Sequence, residues 1–211
     1  MRIRIHYAAV FAGLAFLSFN MCSKQSAHMA QTDQSSAAET QVIVYQPELP
    51  PGPAYKGTCF TRSISVIRPD VYRCSTEQSV ASAGGANLFD PCFVVPGEKD
   101  ILACEPDPIK GTPGIRLVLT EPLPSEPVEA AEPDSAWMVQ LEDGTVCAFS
   151  TGATFMVDEE RANYGCSDGS WLFGSLQPGT VWTAFRATVK GDPPNVQFDQ
   201  HSIAGIQKIW R

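Results

Sequence analysis

The sequence predicts a mostly β, disulfide-stabilised fold, either a sandwich or a small barrel, with an irregular N-terminal half. Short apolar segments recur about every 8–12 residues between turns of glycine and proline, as in sandwiches and small barrels. The 17 prolines interrupt the longer amphipathic runs, which disfavours a helical bundle. Once Cys22, which directly follows an apolar leader, is set aside, six cysteines remain, and an even number after such a leader is typical of an exported disulfide framework.

The C-terminal half carries the clearer strand signals. Asp143 and Gly144 separate the apolar segments 137–141 and 145–149. Asp-Gly between two such segments is a strong hairpin signal, because the turn needs positive φ. The alternating segment 180–189 predicts a further, long strand.

The N-terminal half predicts shorter and less regular pieces. We expect a weak strand at 59–66, one helical turn that starts at Pro69 and Asp70, a turn at 90–92, and a short strand at 100–104. The segment 122–133 combines prolines with acidic residues and is expected to be an exposed loop.

Composition divides the chain into three parts. From 23 to 41 the chain is rich in Ser, Ala, Gln and Thr without an apolar period, which is typical of a flexible spacer. The stretch 46–55 contains several prolines and is expected to be extended and stiff. The predicted parts are a signal peptide at 1–21, a flexible and then proline-rich tether at 22–55, and a single β-rich domain at 56–211.

The leader predicts export. Arg2 and Arg4 precede an apolar run at 8–19, which matches the core of a signal peptide and is short for a membrane span. Cys22 follows directly, at the place of the lipidated cysteine in bacterial lipoprotein signals, although Met21 stands where a small residue is preferred.

Three fates of the leader stay open. Lipidation of Cys22 would anchor the domain in the cell envelope, simple secretion would cleave after Ala27 or Ala30, and the third fate is an uncleaved anchor. The odd Cys22 favours the lipoprotein, because an unpaired thiol in an exported protein otherwise lacks a purpose.

The remaining six cysteines predict disulfides. A zinc site would need C-x-x-C pairs or histidine partners, and the only histidine after the tether is His201. Cys147 and Cys166 flank one turn-rich segment and are expected to pair. Among the other four cysteines, three pairings are open, and we favour the one that joins near neighbours. The predicted disulfide cysteines are Cys59, Cys74, Cys92, Cys104, Cys147 and Cys166, with Cys59 joined to Cys74 and Cys92 to Cys104.

The charge argues against a nucleic-acid partner. The net charge is −8, and the cations Arg2, Arg4 and Lys24 all lie before the domain. Nucleic-acid binding needs clusters of lysine and arginine, and the domain sequence has none. The sequence contains no P-loop, dinucleotide motif or calcium loop either, so no cofactor is expected.

Candidate catalytic residues fit structural roles better. The segment 165–169 matches G-x-S-x-G, and Asp199 and His201 follow it in the order found in serine hydrolases. In those enzymes the serine lies on a nucleophile elbow between a strand and a helix, whereas a tight turn is predicted here. The acids 158–160, with Asp90 and Asp107, offer carboxylate pairs for a glycosidase. Such acids are more often solvated in loops. The tryptophans, which could line a sugar site but are more often core, are Trp137, Trp171, Trp182 and Trp210.

The segment 57–189 contains a set of short motifs, namely Gly57-x-Cys59, Ser63-Ile64, Arg68-Pro69-Asp70-x-Tyr72-Arg73-Cys74, Asp90-Pro91-Cys92-Phe93, Leu119-Thr120-x-Pro122-Leu123-Pro124 and Asn163-Tyr164-Gly165-Cys166. Together these motifs resemble a group of small exported bacterial proteins with a six-cysteine pattern and no assigned function. The resemblance covers most of 57–189 and implies export and a disulfide framework, but no substrate.

The expected function is therefore non-catalytic. We expect an exported envelope or secreted protein that binds an unknown protein or envelope component, with membrane contact only through a lipid at Cys22. The alternatives are a hydrolase that acts on envelope material, and an exported inhibitor or effector with 122–133 as a protruding loop.

Overall fold

The computed structural model describes residues 38–125, 135–191 and 195–211. These residues form a mostly β structure with one 3-10 turn at Ala81–Ala83, which confirms the predicted fold class. No helix among them is long and apolar enough to cross a membrane. The strands are β1 Gln41–Ile43, β2 Ala54–Arg62, β3 Val71–Val80, β4 Ala86–Val94, β5 Ile101–Cys104, β6 Ile115–Leu119, β7 Met138–Leu141, β8 Val146–Phe149, β9 Met156–Val157, β10 Glu160–Cys166, β11 Trp171–Gln177, β12 Trp182–Lys190 and β13 Gln197–Trp210.

Strands β2 to β6 form a closed barrel in which each strand pairs with the next along the chain. The consecutive pairings are antiparallel, and a parallel pairing of β2 with β6 closes the ring. Phe89, Leu102 and Leu117 are fully buried in its interior. Because the ring is closed, each of its strands has a partner on both sides. This pairing allows the N-terminal half to form a regular sheet although its local strand signals are weak.

Strands β7, β8 and β10 to β13 form a second antiparallel ring. The long strand β13 closes it, because its residues 197–206 pair with β12 and its residues 206–210 pair with β7. Leu141, Leu172 and Ile206 fill the interior. Strand β1 adds in parallel beside the end of β13, and β9 pairs with β10.

An aromatic cluster joins the two barrels. The ring centroids of Tyr45, Phe93 and Trp137 lie 5.1–5.4 Å apart in tilted and edge-on contacts, as aromatic pairs prefer. Arg68 forms an ion pair with Asp70 at 2.6 Å and donates to the carbonyl of Tyr45 at 2.8 Å. These contacts connect β4, β7 and the segment before β2, and they hold the two rings in one compact unit.

The folded unit begins before residue 56, where the sequence predicts the end of the tether. Thr40 is buried; its Oγ1 donates to the carbonyl of Ile206 and accepts from the Trp182 N–H at 2.7 Å. The partners of this segment lie more than 140 positions away, so no local pattern reveals it. The proposed signal peptide and Cys22 lie outside the described residues, as does most of the loop 122–133.

Each disulfide among the described residues joins two cysteines that face each other on adjacent antiparallel strands. The pairings are those that the sequence favours. Sulfur atoms of two disulfides lie within 4.8 Å of one another inside the first barrel, so these bridges pack side by side. The bridges are Cys59–Cys74, Cys92–Cys104 and Cys147–Cys166.

Two local predictions for the N-terminal half are wrong. Pro69 and Asp70 precede β3 rather than a helical turn, because pairing with β2 and β4 decides the conformation there. Asp90 and Pro91 lie within β4 rather than in a turn, and the peptide bond between them is cis. Pro91 cannot donate to the ladder, but its carbonyl accepts from the Glu105 N–H at 2.8 Å.

Candidate functional site

The second barrel carries apolar side chains on its outer surface as well as in its interior. Along β12, Trp182 and Ala184 belong to the inner core, whereas Phe185 and Val189 occupy the alternate positions and point outward. The neighbouring strands continue this pattern. We call the set the outer apolar face; it consists of Trp171 and Phe173 on β11, Phe185 on β12, and Phe198 and Ile203 on β13.

Edge-on ring contacts fix the shape of the outer apolar face. Phe155, in the loop before β9, lies 5.0 Å from Trp171 and 6.0 Å from Phe173, measured between ring centroids, and so covers one end of the face. Phe198 lies 4.9 Å from Phe173 and 5.2 Å from Phe185. Because the rings support one another, the surface is preformed and needs little reorganisation to bind a ligand.

A cavity of about 360 Å³ opens on the uncovered part of this face. Its volume is within the range of small-molecule pockets, and its apolar walls come mainly from Phe173, Phe185, Phe198 and Ile203. Ile203 borders it with 68% of its surface exposed, more than any other large hydrophobic residue among those described. Polar residues also line the cavity, namely Glu160, Ser175, Gln177 and Thr183.

A smaller cleft of about 250 Å³ lies between the barrels. Asp90 is buried there, and burial raises the pKa of its carboxyl group. The carboxylate accepts hydrogen bonds from Ser63 Oγ, from Ser65 Oγ at 2.9 Å and from the Ile64 N–H at 3.1 Å. These bonds occupy both of its oxygens and hold the segment after β2, so the role of Asp90 in the structure is to support that segment.

Two more carboxyl groups line the same cleft. Partial burial acts to raise the pKa of Asp107, but hydrogen bonds from the Lys110 backbone and side chain outweigh it, and the pKa is lowered. Desolvation raises the pKa of Glu105, and the charge of Asp90 adds to this effect. Glu105 also accepts a hydrogen bond from the Asp90 N–H. Both of these carboxyl groups are therefore held by hydrogen bonds from neighbouring residues.

The sequence motif for a serine hydrolase does not form a catalytic site. Ser167 lies in the turn between β10 and β11, with a strand on each side, and its Oγ accepts from the Val146 N–H at 3.3 Å. Asp199 forms an ion pair with Lys190 at 3.3 Å. His201 lies on the outer surface of β13, 5.6 Å from the ring of Phe185, and no contact joins it to Ser167 among the described residues.

The other candidates are dispersed. Asp158 and Glu159 are exposed in the tight turn between β9 and β10, both with positive φ, and only Glu160 reaches the cavity. Trp137, Trp182 and Trp210 are buried, as expected of core residues, whereas the half-buried Trp171 belongs to the outer apolar face. This face was not predicted from the sequence. The segment 180–189 nevertheless carries apolar residues at both its odd and its even positions, which indicates a strand that is covered on both faces.

Comparison with known proteins identifies no relative. No protein-family model, no curated protein and no solved structure matches the chain.

Proposed function

We propose that this chain is an exported interaction protein that binds an apolar group of its partner in the cavity of the outer apolar face. The observation that carries the proposal is the exposure of Ile203 beside a preformed cavity that Phe173, Phe185 and Phe198 help to line. Burial of the exposed Ile203 side chain against a partner would be favourable, because it removes apolar area from water.

Export is supported by the three disulfides, since such bonds persist in oxidising compartments. The leader and the resemblance to exported six-cysteine proteins agree with it. We propose lipidation at Cys22, with simple secretion as the alternative. The partner is then an envelope component or another exported protein, and the acidic chain is not suited to a nucleic acid.

Binding is favoured over hydrolysis because the carboxyl groups of the inter-barrel cleft are engaged. General acid–base work needs a group that can reach the proton it transfers. The Asp90 carboxylate instead accepts hydrogen bonds from the segment after β2, and the Asp107 carboxylate accepts them from Ile109 and Lys110 of its own loop.

Titration with Nile red, an apolar dye, tests the proposal. We expect Ile203→Ser to weaken dye binding about tenfold. The variant removes an apolar side chain that would contact the dye, and a loss of about 1.4 kcal/mol corresponds to tenfold in affinity. Phe60→Ser is the matched control, because Phe60 is 51% exposed on the first barrel, away from the cavity. An unchanged affinity in Ile203→Ser, or an equal loss in Phe60→Ser, would contradict the proposal.

A further inference from the structure

Strand β13 has an edge without a partner strand. Its residues 197–206 pair with β12 on one side, but pairing with β7 on the other side begins only at Ile206. Over residues 197–205, no strand among the described residues covers that second side. A row of unpaired backbone groups on a strand edge is a template for an added strand.

The direction of the backbone groups follows from two hydrogen bonds. The carbonyl of Gly205 accepts from the Glu142 N–H at 3.0 Å, so Gly205 points toward the β7 side. The N–H of Gln200 donates to Thr188 Oγ1 at 3.2 Å, so Gln200 points toward β12. Because backbone direction alternates along a strand, His201 and Ile203 share the direction of Gly205. Their N–H and C=O groups therefore face the open edge.

An exposed apolar side chain and a carboxylate both lie beside this edge. Ile203 is exposed and would lie opposite a residue of an added strand, where an apolar cross-strand pair stabilises the sheet. The Glu142 carboxylate lies over Gly205, so close that a Cβ at Gly205 would be 2.3 Å from Oε2. Glu142 forms no ion pair with any described residue.

We propose that the open edge of β13 accepts an extended polypeptide segment of the partner as an added strand. This segment carries an apolar residue opposite Ile203 and a lysine or arginine near Glu142. The proposal rests on the proposed function and specifies how the partner binds. A second copy of the chain is disfavoured as the occupant, because two chains that each carry a net charge of −8 repel each other.

The probe is an acetylated peptide of eight residues, with alternating threonine and valine and a lysine at each end. Amide hydrogen exchange, read by NMR, reports each backbone group separately. We expect saturating peptide to slow exchange at His201 and Ile203 at least tenfold. Ser202 and Ala204, which pair with β12, should exchange slowly with and without peptide.

One protein variant and one modified peptide test the binding mode. His201→Pro removes an N–H that faces the open edge and no bond to β12, and proline is tolerated on such edges. It should weaken peptide binding at least tenfold while Nile red still binds. Should this variant misfold, a peptide N-methylated at alternate valines makes the same test from the other side, with the same expected loss.

Other outcomes overturn the strand addition. Peptide that saturates without protecting His201 and Ile203 would bind in another way, and the proposed function would survive through the cavity. Absence of peptide binding at millimolar concentration with normal Nile red binding would also refute the added strand. A stable dimer in sedimentation without peptide, lost in His201→Pro, would identify a second copy as the occupant and contradict the proposal.

Discussion

The guanidinium group of Arg186 donates to the carboxylate of Asp143 at 2.6 Å, although 43 positions separate the two residues in the sequence. The same group also binds Asp168 and donates to Ser170 Oγ at 2.9 Å. Arg186 therefore joins the β7–β8 turn to the β10–β11 turn at one end of the second barrel. Its hydrogen bond to Asp143 lowers the pKa of that carboxyl group to about 2.

Replacing Arg186 by alanine is expected to lower the free energy of unfolding by about 1–3 kcal/mol, because it removes charged hydrogen bonds to both turns. Urea unfolding at pH 7 measures the change. The control is Lys190→Ala, since the ion pair of Lys190 with Asp199 is more exposed and should matter by less than about 1 kcal/mol. Equal losses in the two variants would contradict the joining role of Arg186.

The same contact predicts the sign of the acid response. Asp143 has a pKa of about 2 in the folded chain against an ordinary value of 3.8. A lowered carboxyl pKa stabilises the fold above the unfolded value, and the contribution is lost as pH falls through the folded value. Unfolding should therefore become easier from about pH 4 to about pH 2, with a shallower dependence in Arg186→Ala. Parallel profiles would refute this.

Asp90→Ala should destabilise the first barrel by about 1–3 kcal/mol, because the buried hydroxyls of Ser63 and Ser65 and the Ile64 N–H lose their acceptor. Chemical unfolding at pH 7 measures it. Asp100→Ala is the control, since Asp100 is exposed and its carbonyl, which the variant keeps, accepts from the chain. A loss no larger than that of Asp100→Ala would show that the buried carboxylate does not hold this segment.

The fold was predictable where local signals dominate. Asp143 and Gly144 mark the hairpin because the turn chemistry lies within two residues, and the cysteines mark a disulfide framework by number alone. The strand β3 and the strand position of Asp90 were not predictable, because partners across a barrel outweigh the turn preferences of proline and aspartate. Two rings rather than one follow from the closures β2–β6 and β7–β13, and such long-range pairings leave no local pattern.

Removing the Cys147–Cys166 disulfide, by Cys147→Ala with Cys166→Ala, should cost about 3 kcal/mol, since the bridge closes a loop with a sequence separation of 19. Unfolding under non-reducing conditions measures the loss. Peptide mapping of the exported protein should find the three bridges of the structure. A peptide that links Cys147 or Cys166 to any of the first four cysteines would contradict them.

The proposed lipidation of Cys22 can be tested by labelling. Labelled palmitate should enter the wild-type protein, and Cys22→Ser should abolish the label. Soluble protein whose mature N-terminus lies between Ala27 and Thr32 would instead support simple secretion.

The candidate site was harder to predict than the fold. Phe185 and Phe198 are ordinary strand residues in the sequence, and only the register of β11, β12 and β13 brings them to one side of the sheet. The residues with familiar catalytic patterns, Ser167 and His201, are separated by that same register. A surface that is assembled by pairing between distant segments gives only a weak signal in the sequence. Here that signal is the presence of apolar residues at both odd and even positions of β12.

Site-specific photo-crosslinking in the cells that export the protein tests the central proposal most directly. A benzophenone amino acid would replace Ile203 in one variant and Phe60 in the other, since both positions are exposed but only Ile203 borders the cavity. We predict a discrete adduct from position 203 and none from position 60. The crosslinked partner, once purified, should bind the wild type at least tenfold more tightly than Ile203→Ser. No adduct at position 203, or equal adducts at both positions, would contradict binding through the outer apolar face.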